Sequence, residues 1–317
     1  MRFATAEIDG AEVCGVIEEP FFHPFEDGVD LLEVLRSGEL VAAGKRAVSR
    51  AGMPLDSVRL RAPLRPPTIR DFVAFEEHVE GVARAVSGTG VAPEWYAAPT
   101  FYFTNPYAIA GPFDEVARPP GCRVLDFELE VAAVVGRGGH DLGPERAPEH
   151  IAGYTILNDW SARDLQSAEM KVGLGPAKGK DFASTLGPSL VTADELEPYR
   201  DADGFLRLEM RVAVNGEVIG RDLLSNMGWP FEDLLAYASR GAEVRPGDVL
   251  GSGTCGNGGC LAELWGRPDR ADPPALEPGD EVEMTVEGIG TLRNRVVEGA
   301  ELPPVRPATA RPRDRER

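Results

Sequence analysis

The sequence predicts a β-rich α+β fold: a mixed sheet rolled around a core, preceded by a small N-terminal α+β unit. Two observations lead there. From about residue 65 to Val305 the chain reads as strands separated by turns, with few helical stretches. Within that span, "FLRLEMRVAVNGEVIG" holds an Asn215-Gly216 pair between two alternating runs, the strongest short-range hairpin signal.

The elements follow in order. "MRFATAEI" and "AEVCGVIE" alternate on either side of an Asp-Gly turn and form a hairpin over residues 1–19. "GVDLLEVLRSG" is helical, and a second helix is expected around 40–51. The Pro-rich "RLRAPLRPPTIRDF" marks a junction, dividing the chain into a unit over 1–64 and a larger one over 65–304. "DFVAFEEHVEGVARAV" has Phe72, Phe75, Val79, Val82 and Val86 at steps of three and four, which predicts a helix. Asp71 and His78 would then share one face, ~10 Å apart. By itself Asp71 would be a helix N-cap, and His78 a polar group beside the apolar stripe. "PFEDLLAYASR" is another helix, while "VRPGDVLGSGT" and "PGDEVEMTVEGIGTLRNRVV" are strands with Pro-Gly turns. The tail over 305–317 has five arginines against Asp314 and Glu316 and is expected to be disordered.

Composition bounds the function. The chain has 317 residues, 43% hydrophobic and 27% charged, as in ordinary globular proteins. No apolar run reaches the ~18 residues of a membrane span, and the acidic start does not resemble a secretory signal. A cytoplasmic location is therefore expected. A net charge of −19 opposes nucleic acid or an anionic membrane as partner, but not a small anionic substrate held by local cations. Cys14, Cys122, Cys255 and Cys260 are too scattered for a disulfide framework or a close zinc pair, so reduced structural thiols are expected. "GSGTCG" fits GxGxxG but is followed by "NGGC", where no dinucleotide-binding helix can open. "GPAKGKD" fails the P-loop pattern at both ends.

The informative stretch is "RVLDFELEVAAVVG". Asp126, Glu128 and Glu130 alternate with apolar residues, so on one strand their carboxylates would point the same way. Like charges ~7 Å apart in a low dielectric repel strongly unless a cation lies between them. The strand then turns wholly apolar, which places its end in the interior. Asp159 in "YTILNDWSARDLQ" likewise follows an apolar strand. An all-carboxylate site calls for a hard divalent cation, Mg²⁺, Mn²⁺ or Ca²⁺, and not zinc or copper. Arg163, and Lys178 and Lys180 in a Gly-rich loop, supply nearby positive charge.

"RDFVAFEEH", "DFELEVAAVVG", "NDWSARDLQ", "GKDF" and "GSGT…AELW", in this order over about 65–305, resemble the fumarylacetoacetate hydrolase superfamily. The resemblance implies a mixed β-sheet roll in a homodimer and a divalent cation, Mg²⁺ first, with Ca²⁺ or Mn²⁺ as substitutes. It implies metal ligation by Asp71, Glu128, Glu130 and Asp159 but not by Asp126, which is then expected to be an outer acid with Arg123 as its partner. It also implies a catalytic His78 oriented by Glu263, a catalytic Lys180, and substrate contacts from Arg163, Gln166 and Thr254. Two tyrosines of fumarylacetoacetases fall on Val73 and Met170 here, a threonine near the lysine on Ser184, and one residue is inserted before Lys180. The expected substrate is thus a small anionic keto or diketo acid.

A 2,4-dioxo acid chelates a divalent cation, which stabilises the enolate that leaves on C–C cleavage. Histidine is the natural base for water near neutral pH, a carboxylate can orient it, and lysine can donate to an oxyanion. The expected activity is hydrolysis of a β-diketo acid. The alternatives are a 2-keto-3-deoxy sugar acid dehydratase or hydratase, a decarboxylase or isomerase on the same site, or a structural Ca²⁺ without catalysis.

Overall fold

The structure is a computed structural model and describes every residue except 27, 89, 268–272 and 311–317. Residues 311–317 of the expected tail therefore lie outside the described residues, and 301–310 form neither helix nor strand. No helix among the described residues is long and apolar enough to cross a membrane.

The hairpin signals hold. Arg2–Ile8 pairs with Ala11–Glu18 across Asp9 and Gly10, at φ 51° and 81°. Glu209–Val214 pairs with Glu217–Leu223 across Asn215 and Gly216, at φ 51° and 82°. Both central positions sit in the left-handed region that Asn, Asp and Gly tolerate, and this turn's twist matches that of its strands. The helices Leu31–Ser37 and Leu40–Val48 follow the first hairpin. Asp30 caps the former, accepting the Glu33 N–H while Glu33 reaches back to the Asp30 N–H.

A twelve-stranded mixed sheet dominates the described residues. Its central strands run in the order Ser184–Thr192, Ile151–Asp159, Leu129–Val135, Val249–Gly251, Ile69–Phe72, Phe101–Thr104. Leu129–Val135 is buried along its whole length. Val131, Ala133 and Val135 face one core with Tyr154 and Ile156, while Ala132 and Val134 face a second with Leu157 and Val249. Both faces being covered explains the unbroken apolar run. The second core is completed by Phe3, Leu31 and Leu35, so N-terminal residues cover the far side of the central strands. The N-terminal hairpin joins the same sheet, Arg2 opposite Val191 and Phe3 opposite Leu190. A five-stranded sheet, built on the Asn215-Gly216 hairpin with Glu281–Val286, Gly290–Val297 and Glu115–Ala117, encloses the first core.

Two expectations are corrected. The stretch from Asp71 to Val86 is not one helix: Ile69–Phe72 is a strand between two others, and the helix is Glu76–Ser87, opening after Phe75. Glu76 and Glu77 start it, where acids complement the helix dipole. Asp71 is thus neither an N-cap nor on a helical face with His78. Likewise "DFELE" is not one strand. Leu125–Asp126 pairs with Ser161–Ala162, and pairing within the large sheet begins only at Leu129, so the three acids do not lie on one continuous strand.

Candidate active site

The sheet register assembles the carboxylates. Across neighbouring strands, Tyr102 lies opposite Asp71, Asp71 opposite Gly251, and Gly251 opposite Ala132. Residues directly opposite share a face, as do residues two apart on one strand. Glu130 precedes Ala132 by two and lies opposite Leu157, and Asp159 follows Leu157 by two. Asp71, Glu130 and Asp159 therefore converge on one face, and Gly251 leaves the space between them. A Cβ there would come within 2.4 Å of Asp71 Oδ1 and 2.9 Å of Glu130 Oε2. Gly251→Ala is expected to cost about 1–3 kcal/mol by overpacking and to abolish any response to Mg²⁺. A thermal melt with and without the ion checks both.

One carboxylate oxygen from each of Asp71, Glu128 and Asp159 lies within 4.8 Å of the others. Asp71 and Glu130 share a hydrogen bond, and Glu130 Oε2 also accepts the Gly253 N–H at 3.1 Å. Burial, then the Asp159 charge, pushes the Asp71 carboxyl well above its usual range. Burial, then Asp71, does the same to Glu130. Glu128 goes the opposite way. Burial would raise it, but Lys180 and Arg163 outweigh that and hold it far below the carboxylate range.

The cation that turns inward from the Gly-rich loop is Lys180, whose Nζ donates to Glu128 Oε2 at 2.5 Å and Asp159 Oδ2 at 2.6 Å. Lys178 pairs with Asp181 at the surface. The loop reaches this depth because Gly179 lies directly on the helix Arg163–Met170, where a Cβ would meet Gln166 Cβ at 2.6 Å. Arg163 bridges Asp126 and Glu128, at 2.7 Å to each, and donates to Gln166 Oε1 at 3.2 Å.

Three buried oxygens, Asp71 Oδ1, Glu130 Oε1 and Asp159 Oδ1, have no hydrogen-bond partner. Buried polar atoms are normally satisfied, so three orphans on converging carboxylates fit a hard cation bound by oxygen.

His78 is buried on the helix Glu76–Ser87, its Nδ1 3.7 Å from Cys260 Sγ. Burial lowers its pKa to about 4 against the pull of Glu128, so the imidazole is neutral at pH 7. Glu263 is fully buried on the short helix Leu261–Trp265, paired with Arg267 at 2.6 Å and accepting the Gly258 N–H. Gly81 lets the two helices touch, since a Cβ there would meet Glu263 Cγ at 2.5 Å. Thr254 is buried next to Gly253, whose N–H holds Glu130.

Two residues, Tyr102 and Cys260, escaped sequence reasoning as parts of the site, and the outer acid Asp126 has other partners than expected. Asp126, fully buried, holds Arg163 and accepts the N–H groups of Leu261 and Ala262 at 2.8 and 3.0 Å, fixing the helix of Glu263. The expected pairing with Arg123 is corrected: that side chain is exposed, 3.6 Å from Asp164. Tyr102 donates to Asp159 Oδ2 at 2.5 Å, but its place opposite Asp71 depends on strand pairing that no local motif encodes. Cys260 caps the helix of Glu263, its Sγ accepting the Glu263 N–H, and touches His78.

The family model described as "Fumarylacetoacetate (FAA) hydrolase C-terminal" matches residues 68–297. The chain is 30% identical to the fumarylacetoacetase of Arabidopsis thaliana, over 84% of this chain and 78% of that protein. It is 27% identical to the oxaloacetate tautomerase YisK of Bacillus subtilis (strain 168), over 93% of this chain and all of that protein. Among solved structures, the fumarylacetoacetate hydrolase of Exiguobacterium antarcticum superposes with a TM-score of 0.75 at 30% identity, covering 94% of this chain and 100% of its own. Sequence, register and fold agree: the chain belongs to the fumarylacetoacetate hydrolase superfamily.

Proposed function

We propose that the protein is a divalent-cation-dependent hydrolase that cleaves a C–C bond of a small 2,4-dioxo acid such as an acylpyruvate. The observation that carries this reading is the set of orphaned carboxylate oxygens on Asp71, Glu130 and Asp159, beside a buried imidazole that is neutral at pH 7. Asp71, Glu128, Glu130 and Asp159 would hold the ion, Mg²⁺ foremost. When bound, it supplies Lewis-acid stabilisation of a developing enolate. The ion would draw Asp71 and Glu130 into their ionised forms, giving their oxygens the partner that burial denies them.

The chain's own groups divide the remaining work. His78 takes a proton from water, and Glu263, on the short helix packed against that of His78, orients the imidazole. Lys180 keeps Glu128 ionised, opposes the burial that raises Asp159 and draws the two together, and its ammonium offers an N–H to an oxyanion. Arg163 and Gln166, already bonded to each other, mark the side on which a substrate carboxylate docks, with Thr254 a further contact. Residues 65–304 carry this chemistry, with residues 1–64 backing the central strands. Val73 and Met170 offer no phenol to grip a long diketo acid, and Tyr102 spends its hydroxyl on Asp159, so a short substrate fits best.

A second reading is favoured by the full-length match to a tautomerase. Enolising a keto acid needs a base and an electrophile at the same centre but no attacking water. Both readings meet one experiment: the protein with Mg²⁺ is offered acetylpyruvate, fumarylacetoacetate, oxaloacetate and a keto-deoxy sugar acid. Two carboxylic acids in equal amounts are expected from a diketo acid. Keto–enol interconversion alone, or a single dehydrated or decarboxylated product, would overturn the hydrolase in favour of its rivals.

A further inference from the structure

Beside the carboxylate cage stands a second set of donors of different chemistry. His78, Glu128 and Cys260 each bring one ligand atom within 4.8 Å of the other two, and all three are buried. They come from separate parts of the chain: the helix Glu76–Ser87, the segment just before Leu129–Val135, and the residue capping Leu261–Trp265. Around one tetrahedral zinc ion, bond lengths of about 2.3 Å to sulfur and 2.0–2.1 Å to nitrogen place the two donors about 3.6 Å apart. Cys260 Sγ and His78 Nδ1 lie 3.7 Å apart. We infer that His78, Cys260 and Glu128 form a binding site for a soft or borderline divalent cation, Zn²⁺ in particular, next to the hard-cation cage and sharing Glu128 with it.

The neighbouring charges permit it. Glu128 Oε1 is held by Arg163 and Oε2 by Lys180, but Arg163 also grips Asp126 through Nε and a terminal nitrogen and Lys180 also grips Asp159, so each keeps a charged partner when Glu128 turns toward an ion. Binding replaces the Cys260 S–H with a Zn–S bond and releases the thiol proton to solvent, with no electron transferred. Thiolate and carboxylate together balance the charge of the ion. The two sites divide cations by chemistry, since oxygen ligands alone suit Mg²⁺ while sulfur and imidazole select Zn²⁺. Zinc would engage His78 and draw Glu128 from the cage, so it inhibits where Mg²⁺ activates. That inhibition rests on the proposed hydrolase, whereas zinc binding does not.

The test is titration of the full-length protein, saturated with Mg²⁺, with Zn²⁺ by calorimetry, and with Co²⁺ by absorption spectroscopy. One Zn²⁺ per chain and a thiolate-to-cobalt charge-transfer band are expected. Cys260→Ser, whose hydroxyl can still cap the helix, should lose the band and bind Zn²⁺ about 100-fold more weakly. Equal zinc affinity in Cys260→Ser, or no charge-transfer band in the unaltered chain, would overturn the site. The band in the unaltered chain decides the matter even if the variant fails to fold. Zinc binding with the band, in a protein that turns over no keto acid, would support the site and sink the functional reading alone.

Discussion

His78→Ala is expected to lower turnover by about 10²–10⁴-fold, the usual contribution of a positioned base, while leaving Mg²⁺ binding intact. The reason is where His78 sits. It lies on a helix outside the strands that carry Asp71, Glu130 and Asp159, and the orphaned oxygens belong to those acids. Removing the imidazole therefore leaves the cage's unpartnered atoms in place. Its neutrality at pH 7 comes from burial, so the unaltered protein needs no rise in pH to activate its base. Turnover of a diketo acid with Mg²⁺ in excess, together with the Mg²⁺-induced shift in melting temperature, separates the two effects. Unchanged turnover would remove His78 from the base role, and lost Mg²⁺ response would make it part of the cage.

Asp71→Asn should act in the opposite sense on stability and on function. In the metal-free chain Asp71 and Glu130 are buried, adjacent, and both raised well above the carboxylate range. Burial and mutual repulsion disfavour ionisation of both, so removing one acid relieves a cost. The metal-free variant should melt above the unaltered chain, by roughly 2 °C for each kcal/mol at this size. With Mg²⁺ the order should reverse, because the variant gains nothing from the ion.

The pH dependence follows. These carboxyls hold protons in the folded state that the unfolded chain has already lost. Their stabilising effect is complete below the unfolded carboxylate pKa and is lost as pH rises through the raised folded values. Metal-free melting temperature should thus fall with rising pH more steeply in the unaltered chain than in Asp71→Asn. Parallel slopes would mean that Asp71 is not penalised by burial, and a Mg²⁺ response kept in the variant would remove it from the cage.

Much of this was legible before the structure. Asp9-Gly10 and Asn215-Gly216 encode their hairpins because only a few residue types accept left-handed φ. Val131 to Val135 announced a strand covered on both faces. Local pattern failed where pairing between distant strands decided the outcome. "DFVAF" has helical spacing, yet Ile69–Phe72 lies between two strands whose hydrogen bonds claim it, and only the acids at 76 and 77 mark the true helix start. Asp126 looked equivalent to Glu128 by alternation, but the strand pairing lapses between them: both meet Arg163, yet Asp126 takes the N–H groups of Leu261 and Ala262 while Glu128 takes Lys180. Tyr102 and Cys260 carry no motif at all, since one arrives by sheet register and the other by a helix cap.

The contact at Gly81 constrains how this sequence can drift. A glycine inside a helix costs about 1 kcal/mol relative to alanine, and most of its neighbours on Glu76–Ser87 are at least partly exposed. Position 81 would therefore look like an easy site for improvement. It lies three residues after His78, on the same helical face, and the methyl of an alanine would strike Glu263. The propensity gain at position 81 is therefore cancelled by the collision with a buried side chain, so glycine is held there by the packing of two helices and any larger residue would displace Glu263.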